Sequence, residues 1–321
     1  MQIGLFSVVF SQVSFTEMLK AAGQYQGIEA LEIGCGGWPG SSHIDPAHLL
    51  ASRDAAHEYA GKIRDAGFTL SALSCHGNPV HPDPTIAQKD AAIFENALRL
   101  AERLGVSTVV TFSGCPGGGP EDRTPNWITA PWPPEMQTAL KWQWEERLIP
   151  YWKNAERRAN DAGIRIALEA HPNFSVHNPE TLLRLRAATG PALGINFDPS
   201  HLWWQGMDPV AAIAACSGAI HHVHAKDVSL NTRKVEVDGV LDAKPMEQIN
   251  ARSWTFRSVG FGHSELEWSR IVAALRLAGY DGVLSIEHED ALASIHEGLS
   301  AAVNLLSRVV LREPPVAPWW T

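Results

Sequence analysis

Four apolar runs in this chain end in a residue that titrates. The run Arg165–Glu169 closes on a carboxylate, and Gly194-Ile195-Asn196-Phe197-Asp198 closes on another. Ala219–His224 closes on an imidazole, and Val283–Glu287 on a third carboxylate. An ionised group at the end of a buried strand is costly unless it is paired or bound to a metal. Four such ends in one chain point to one shared site. Three carboxylates packed together repel strongly unless a cation neutralises them. Three carboxylates and one imidazole form an oxygen-rich donor set that suits Mn²⁺ first, with Mg²⁺, Co²⁺ or Zn²⁺ acceptable. Glu169, Asp198, His224 and Glu287 are therefore the candidate metal ligands.

The rest of the chain must bring those ends together. Short apolar runs alternate with longer amphipathic segments from end to end. The predicted strands are Ile3–Phe6, Ile28–Ile33, Phe68–Ser74, Val106–Phe112, Ile164–Glu169, Leu193–Asp198, Ala219–His224 and Gly282–Glu287. They lack polar alternation, as expected of parallel strands buried on both faces. The helices carry readable start signals: Ser14 with Glu17 three residues on, Asn178-Pro179-Glu180, and Asp208-Pro209. Pro46–Ala66 and Glu135–Ala162 each read as one long helix. Eight strand–helix units predict a closed (β/α)₈ TIM barrel, an α/β fold whose active site lies at the strands' C-terminal ends. A doubly wound open sheet is the alternative, but Phe6-Ser7-Val8-Val9-Phe10 has no glycine to make a phosphate-binding turn. The barrel is expected over residues 1–310 as a single domain, followed by a Pro/Trp-rich tail over 311–321. Two loops are enlarged, Gly114–Pro134 after the fourth strand and Lys226–Gly262 after the seventh.

Composition narrows the function classes. With 321 residues, 45% of them hydrophobic, the chain can bury a large core. A net charge of -9 offers no basic footprint for nucleic acid. No stretch has the length of apolar sequence needed to cross a bilayer, and no signal segment opens the chain, so a cytoplasmic protein is expected. Cys35, Cys75, Cys115 and Cys216 form no Cys-x-x-Cys pair and read as small buried thiols.

The stretches Leu168-Glu169-Ala170-His171-Pro172, Phe197-Asp198-Pro199-Ser200-His201, His222-Val223-His224-Ala225-Lys226-Asp227 and Ile286-Glu287-His288 resemble the xylose isomerase-like TIM-barrel superfamily. The likeness is greatest to its sugar phosphate isomerase/epimerase branch, which includes tagatose and psicose 3-epimerases, and covers nearly the whole chain. The resemblance implies that Glu169, Asp198, His224 and Glu287 bind one divalent ion, and that Glu169 and Glu287 are the catalytic acid/base pair acting on opposite faces of a substrate. It implies a sugar isomerase or epimerase working through an enediolate. His201, in the Asp-x-x-His pattern, resembles a family residue near the substrate.

His171 shares the face of Glu169 in an extended segment. Lys226 and Asp227, after His224, are placed to hold a sugar hydroxyl or oxyanion. His76 follows the third strand, Arg257 is a candidate anion or hydroxyl clamp, and Trp38 is a candidate stacking platform for a sugar face. His222 should share the face of His224 while His221 points outward, and Glu32 should face the barrel interior in a polar network. Trp127, Trp132, Trp203 and Trp204 fall on the expected active face. The expected partner is a small carbohydrate or glycoside, in a homo-oligomer to which Trp319 and Trp320 contribute an interface or dock on a neighbouring helix. A second reading is a lyase or deglycosidase that cleaves oxidised (3-keto) glycosides, including C-glycosides, by proton abstraction and elimination, with the enlarged loops holding the aglycone and a possible partner subunit. An apurinic-site endonuclease is remote, because Thr111-Phe112-Ser113-Gly114 offers no histidine, and a non-catalytic sugar-binding barrel would not need four intact ligands.

Overall fold

The computed structural model describes residues 1–320. Eight parallel strands close into a barrel: β1 (Gln2–Phe6), β2 (Ala30–Gly34), β3 (Thr69–Ser74), β4 (Thr108–Phe112), β5 (Arg165–Glu169), β6 (Leu193–Phe197), β7 (Ile220–Ala225) and, after the antiparallel hairpin β8 (Asp227–Leu230) and β9 (Trp254–Arg257), β10 (Val283–Ile286). The ring closes where β1 pairs with β10, Leu5 opposite Ile286. Most of the core lies between the strands and the surrounding helices, where Trp144, Trp152 and Trp268 are fully buried. The sequence-predicted helix starts form as capping motifs. Ser14 and Glu17 make a reciprocal capping box, Asn178 precedes Pro179 at a helix N-terminus, and Asp208 caps the helix that begins at Pro209.

The barrel interior is filled asymmetrically. Side chains on one strand face alternate, so Ala167 and Glu169 point inward together. Ala72, Val110 and Ala167 form a small apolar cluster apart from the main core. Beside and across from it the interior is polar, with Glu32, Asn196, His222, His224 and Ser285 all buried. The small side chains of that cluster leave room for the imidazoles and carboxylates around it.

Two long helices expected from the sequence are interrupted. Pro46–Ala66 breaks at Ser52, which leaves helical geometry and caps the next helix through Ala55 N. Glu135–Ala162 contains a π-helical segment, Gln143–Leu148, between two α-helical parts. That widened turn aims Gln143 at the loop after β4, where its amide donates to the carbonyls of Gly117 (2.9 Å) and Asn126 (2.7 Å). The loop has no regular secondary structure but is held in place. The excursion after β7 does contain regular structure, the β8–β9 hairpin and a short helix, Thr232–Asp238.

The last helix ends at Val309. The following segment starts docked: Leu311 O accepts from the Met1 ammonium (2.9 Å) and Arg276 (2.6 Å), and Arg312 pairs with Glu29. Trp319 and Trp320 are exposed. Among the described residues no helix is long and apolar enough to cross a membrane.

Candidate functional site

The four strand ends meet. One donor atom from each of Glu169, Asp198, His224 and Glu287 lies within 4.8 Å of the others. Strand register explains the convergence. Glu169 ends β5, opposite Phe112 on β4 and Asn196 on β6. Asp198 directly follows β6 and caps the short helix Pro199–Trp204, its Oδ1 accepting from Ser200 N (2.8 Å), so that only Oδ2 is left for the site. His224 lies in β7, opposite Ser285. Glu287 follows β10, its amide held by Ala225 O at 3.2 Å.

The donors differ in how far they are satisfied. Glu169 is fully engaged. His201 Nε2 lies 3.0 Å from its Oε1, while His76 Nε2 (3.0 Å) and Asn196 Nδ2 (3.2 Å) meet its Oε2. Asp198 Oδ2, His224 Nδ1 and Glu287 Oε2 are buried atoms that make no hydrogen bond. His224 Nδ1 lies 3.3 Å from Glu169 Oε2 and 3.2 Å from Glu287 Oε2. Lys226 supplies positive charge at the rim, its Nζ 2.7 Å from Glu287 Oε2, 3.1 Å from Asp198 Oδ2 and 3.2 Å from Glu289 Oε2.

Electrostatics follow from this crowding. Burial acts to raise the Glu169 carboxyl, but His201, the adjacent His224 ring and His76 hold it well below the usual range. Burial opposes the Glu287 charge too, and the Lys226 ammonium and His224 bring that carboxyl down to about 2. Asp198 goes the other way. Burial, with the neighbouring charges of Glu169 and Glu287, pushes it up to about 7 despite Lys226. Burial keeps His201 well below the ordinary imidazole value, so its ring is neutral. The unsatisfied oxygens and imidazole nitrogen aimed at one point fit a divalent cation by number and type.

The site opens into a cavity of about 800 Å³. Glu169, Glu287, His76, His171, His201, Lys226 and Trp38 all lie on its wall. The backbone at Trp38 is fixed by its neighbours: its main-chain N–H donates to His76 O at 2.8 Å, and Gly37 before it takes φ +67° where a Cβ would strike that same oxygen. Two candidates sit elsewhere, which corrects the sequence reading. Asp227 is fully buried behind the wall, its carboxylate accepting from Gly260 N (3.0 Å), Gly262 N (3.2 Å), His263 N (2.9 Å) and the indole of Trp268 (3.3 Å), with His263 Nδ1 at 2.7 Å. It has no lone pair to offer a substrate. Arg257 is paired with Asp290 at 3.1 Å and is not on the wall.

Sequence reasoning passed over several wall residues. Trp254 and Phe256 come from β9, and Trp204 stacks on Trp254 with ring centroids 4.5 Å apart. Lys244, Met246, Arg252 and Glu289 also line the cavity. Glu289 was readable, since it follows Glu287 by two and shares its side of an extended segment. Among the tryptophans expected on this face, Trp127 and Trp204 line the cavity, Trp203 instead stacks on His263 (3.7 Å), and Trp132 is exposed.

The Xylose isomerase-like TIM barrel family description matches residues 19–308. An uncharacterised protein of Bacillus subtilis, YfiH, is 37% identical over 97% of this chain and 99% of its own. Inosose dehydratase of Lacticaseibacillus casei is 27% identical over 46% of this chain and 47% of its own. Among solved structures, a D-psicose 3-epimerase superposes with a TM-score of 0.64 at 15% identity, covering 98% of this chain and 100% of that one, a likeness of fold. Isomerase-like, epimerase and dehydratase names thus all occur around this barrel, and the chain belongs to the xylose isomerase-like TIM-barrel family.

Proposed function

We propose that this protein is a divalent-metal-dependent sugar isomerase or epimerase that moves a proton next to a carbonyl. The observation that carries the reading is the set of orphaned donors, Asp198 Oδ2, His224 Nδ1 and Glu287 Oε2, gathered beside Glu169, which with Glu287 lines the cavity. Glu169, Asp198, His224 and Glu287 would hold the ion, with Mn²⁺ the preferred metal. A divalent ion there supplies Lewis-acid polarisation of a carbonyl and its neighbouring hydroxyl, which acidifies the C–H between them.

The chain's own residues do the proton work. Glu287 is held ionised by Lys226, and its Oε2 faces only that ammonium (2.7 Å) and the His224 ring (3.2 Å), so it can accept a carbon-bound proton. Glu169 is oriented through both oxygens by His76, Asn196 and His201 and serves as the second proton carrier. Removal by one carboxylate and return by the other to the same carbon inverts that centre. Return to the adjacent carbon isomerises the sugar. Lys226 is placed to donate a hydrogen bond to a substrate oxygen that gains charge as the enediolate forms.

A second reading, elimination from an oxidised ring or glycoside, is favoured by the size and lining of the cavity. Its outer wall carries Trp38, Trp127, Trp204, Trp254 and Phe256, more aromatic surface than a free monosaccharide requires, and inosose dehydratase is a partial relative. In that reaction Lys226 would protonate the departing oxygen.

Chelation tests the metal dependence that both readings share. Protein stripped with EDTA should show no turnover on a panel of ketoses and 3-keto-glycosides, and Mn²⁺ should restore it. Turnover unaffected by chelator would contradict the assignment.

A further inference from the structure

Glu32 takes no part in the proton chemistry above, yet it is a fully buried carboxylate inside the barrel, behind the metal-site face of His224. It lies in β2, opposite Phe6 of β1. Three groups meet it. Ser74 Oγ donates to Oε1, His222 Nε2 lies 2.9 Å from Oε2, and His224 Nε2 straddles both oxygens at 3.0 and 3.1 Å. A buried carboxylate only accepts, so an imidazole nitrogen at hydrogen-bond distance must bring a proton to it.

We propose that Glu32 is a positioning residue for the metal centre: it holds the proton of His224 on Nε2 and turns Nδ1 alone towards the cation. The inference rests on the metal reading of Glu169, Asp198, His224 and Glu287. Nδ1 is the nitrogen that lies among the ligands, 3.3 Å from Glu169 Oε2 and 3.2 Å from Glu287 Oε2, and it makes no hydrogen bond. Phe6 stacks on the same ring at 5.6 Å and 26°, which limits its rotation. The imidazole is thus gripped on its inner nitrogen and one flat face, and offered to the cation by the other nitrogen. A carboxylate behind a ligating histidine fixes the tautomer and raises the basicity of the ligating nitrogen. His222 and Ser74 fill the remaining positions on Glu32 and keep its charge satisfied when a cation occupies the site.

Glu32→Gln separates this role from simple packing. The amide keeps the shape but replaces one acceptor with a donor, which cannot face an Nε2–H. The variant should bind Mn²⁺ about 10- to 100-fold more weakly in competition with a fluorescent chelator. His221→Gln, on the outer face of the same strand where Nε2 meets Pro191 O at 3.2 Å, should keep wild-type affinity. Long-range ¹H–¹⁵N spectra of the wild type loaded with diamagnetic Zn²⁺ should show His224 protonated at Nε2 and metal-shifted at Nδ1, a result that does not depend on any variant folding. Unchanged affinity in a folded Glu32→Gln protein would overturn the proposal, as would a cation on Nε2. A wild-type stoichiometry of two ions falling to one in Glu32→Gln would also overturn it, because Glu32, His222 and His224 would then themselves be a cation site. A wild type that takes up no divalent ion would overturn the metal reading and this one with it, whereas wild-type uptake matched by the variant overturns this one alone.

Discussion

Glu169 and Glu287 are chemically alike but differently held. Both oxygens of Glu169 are tied, by His76 and His201, while Glu287 Oε2 meets only the Lys226 ammonium and the His224 ring edge. The difference makes Glu287 the freer proton acceptor and Glu169 the more rigid partner. Glu287→Gln and Glu169→Gln should each lower kcat by at least about 10³-fold in Mn²⁺-saturated protein, a loss in the range of general acid–base contributions. Steady-state kinetics with metal content measured alongside checks it, and two active variants would remove the proposed pair. These carboxylates were legible because each ends an apolar run. Asn196, which donates to Glu169, was readable from its place two residues before Asp198 but was not recognised. The grip of Glu32 on His224 was not readable, since it joins residues 192 apart and exists only once the barrel closes.

The elements that position the site depend on contacts no local pattern reveals. Asp227 reads as a ligand neighbour in sequence, yet it knits the start of β8 to the Gly260–His263 turn and to Trp268 in the following helix. Through that anchor the β8–β9 hairpin stands as one wall of the cavity, with Trp254 against Trp204 and Phe256 against His201. Asp227→Ala leaves several buried donors and the His263 ring without their acceptor, and should destabilise the fold by about 3 kcal/mol. Denaturant titration measures that loss. KM should rise as the wall loosens, and an unchanged midpoint would show that the anchor is dispensable. The hairpin went unread because β8 and β9 are four residues each and lie in a long polar excursion. The break at Ser52 and the π-helical turn at Gln143 were hidden for a related reason: both keep the helical apolar period and differ only in where backbone hydrogen bonds go.

At the scale of the molecule, the barrel was legible in full from the eight alternating units, because parallel strands buried on both faces leave so plain a pattern. Both faces of that barrel shape its response to acid. His221 points away from the catalytic face of β7, its Nε2 3.2 Å from Pro191 O, and burial, with Arg165 and Arg186 nearby, brings its ring down to about 4. The unfolded chain takes up that proton from about pH 6.5 downwards while the folded chain does not, so stability present above pH 6.5 is lost as pH falls towards 4. His221→Gln, which retains a donor for Pro191, should lose less stability than the wild type across that window. Melting curves from pH 7 to 4 report the difference, and parallel curves would show that His221 does not contribute.

The central claim is that the barrel mouth removes a proton from carbon next to a carbonyl. It is tested most directly by incubating the Mn²⁺-loaded protein in D₂O with ketoses and 3-keto-glycosides, and following carbon-bound deuterium by NMR and mass spectrometry. Deuterium at the carbon beside the carbonyl, together with an epimerised or isomerised sugar, is the predicted result; deuterium-labelled product with release of an aglycone or water would assign the elimination reading instead. Absence of both exchange and turnover across the panel would contradict the account.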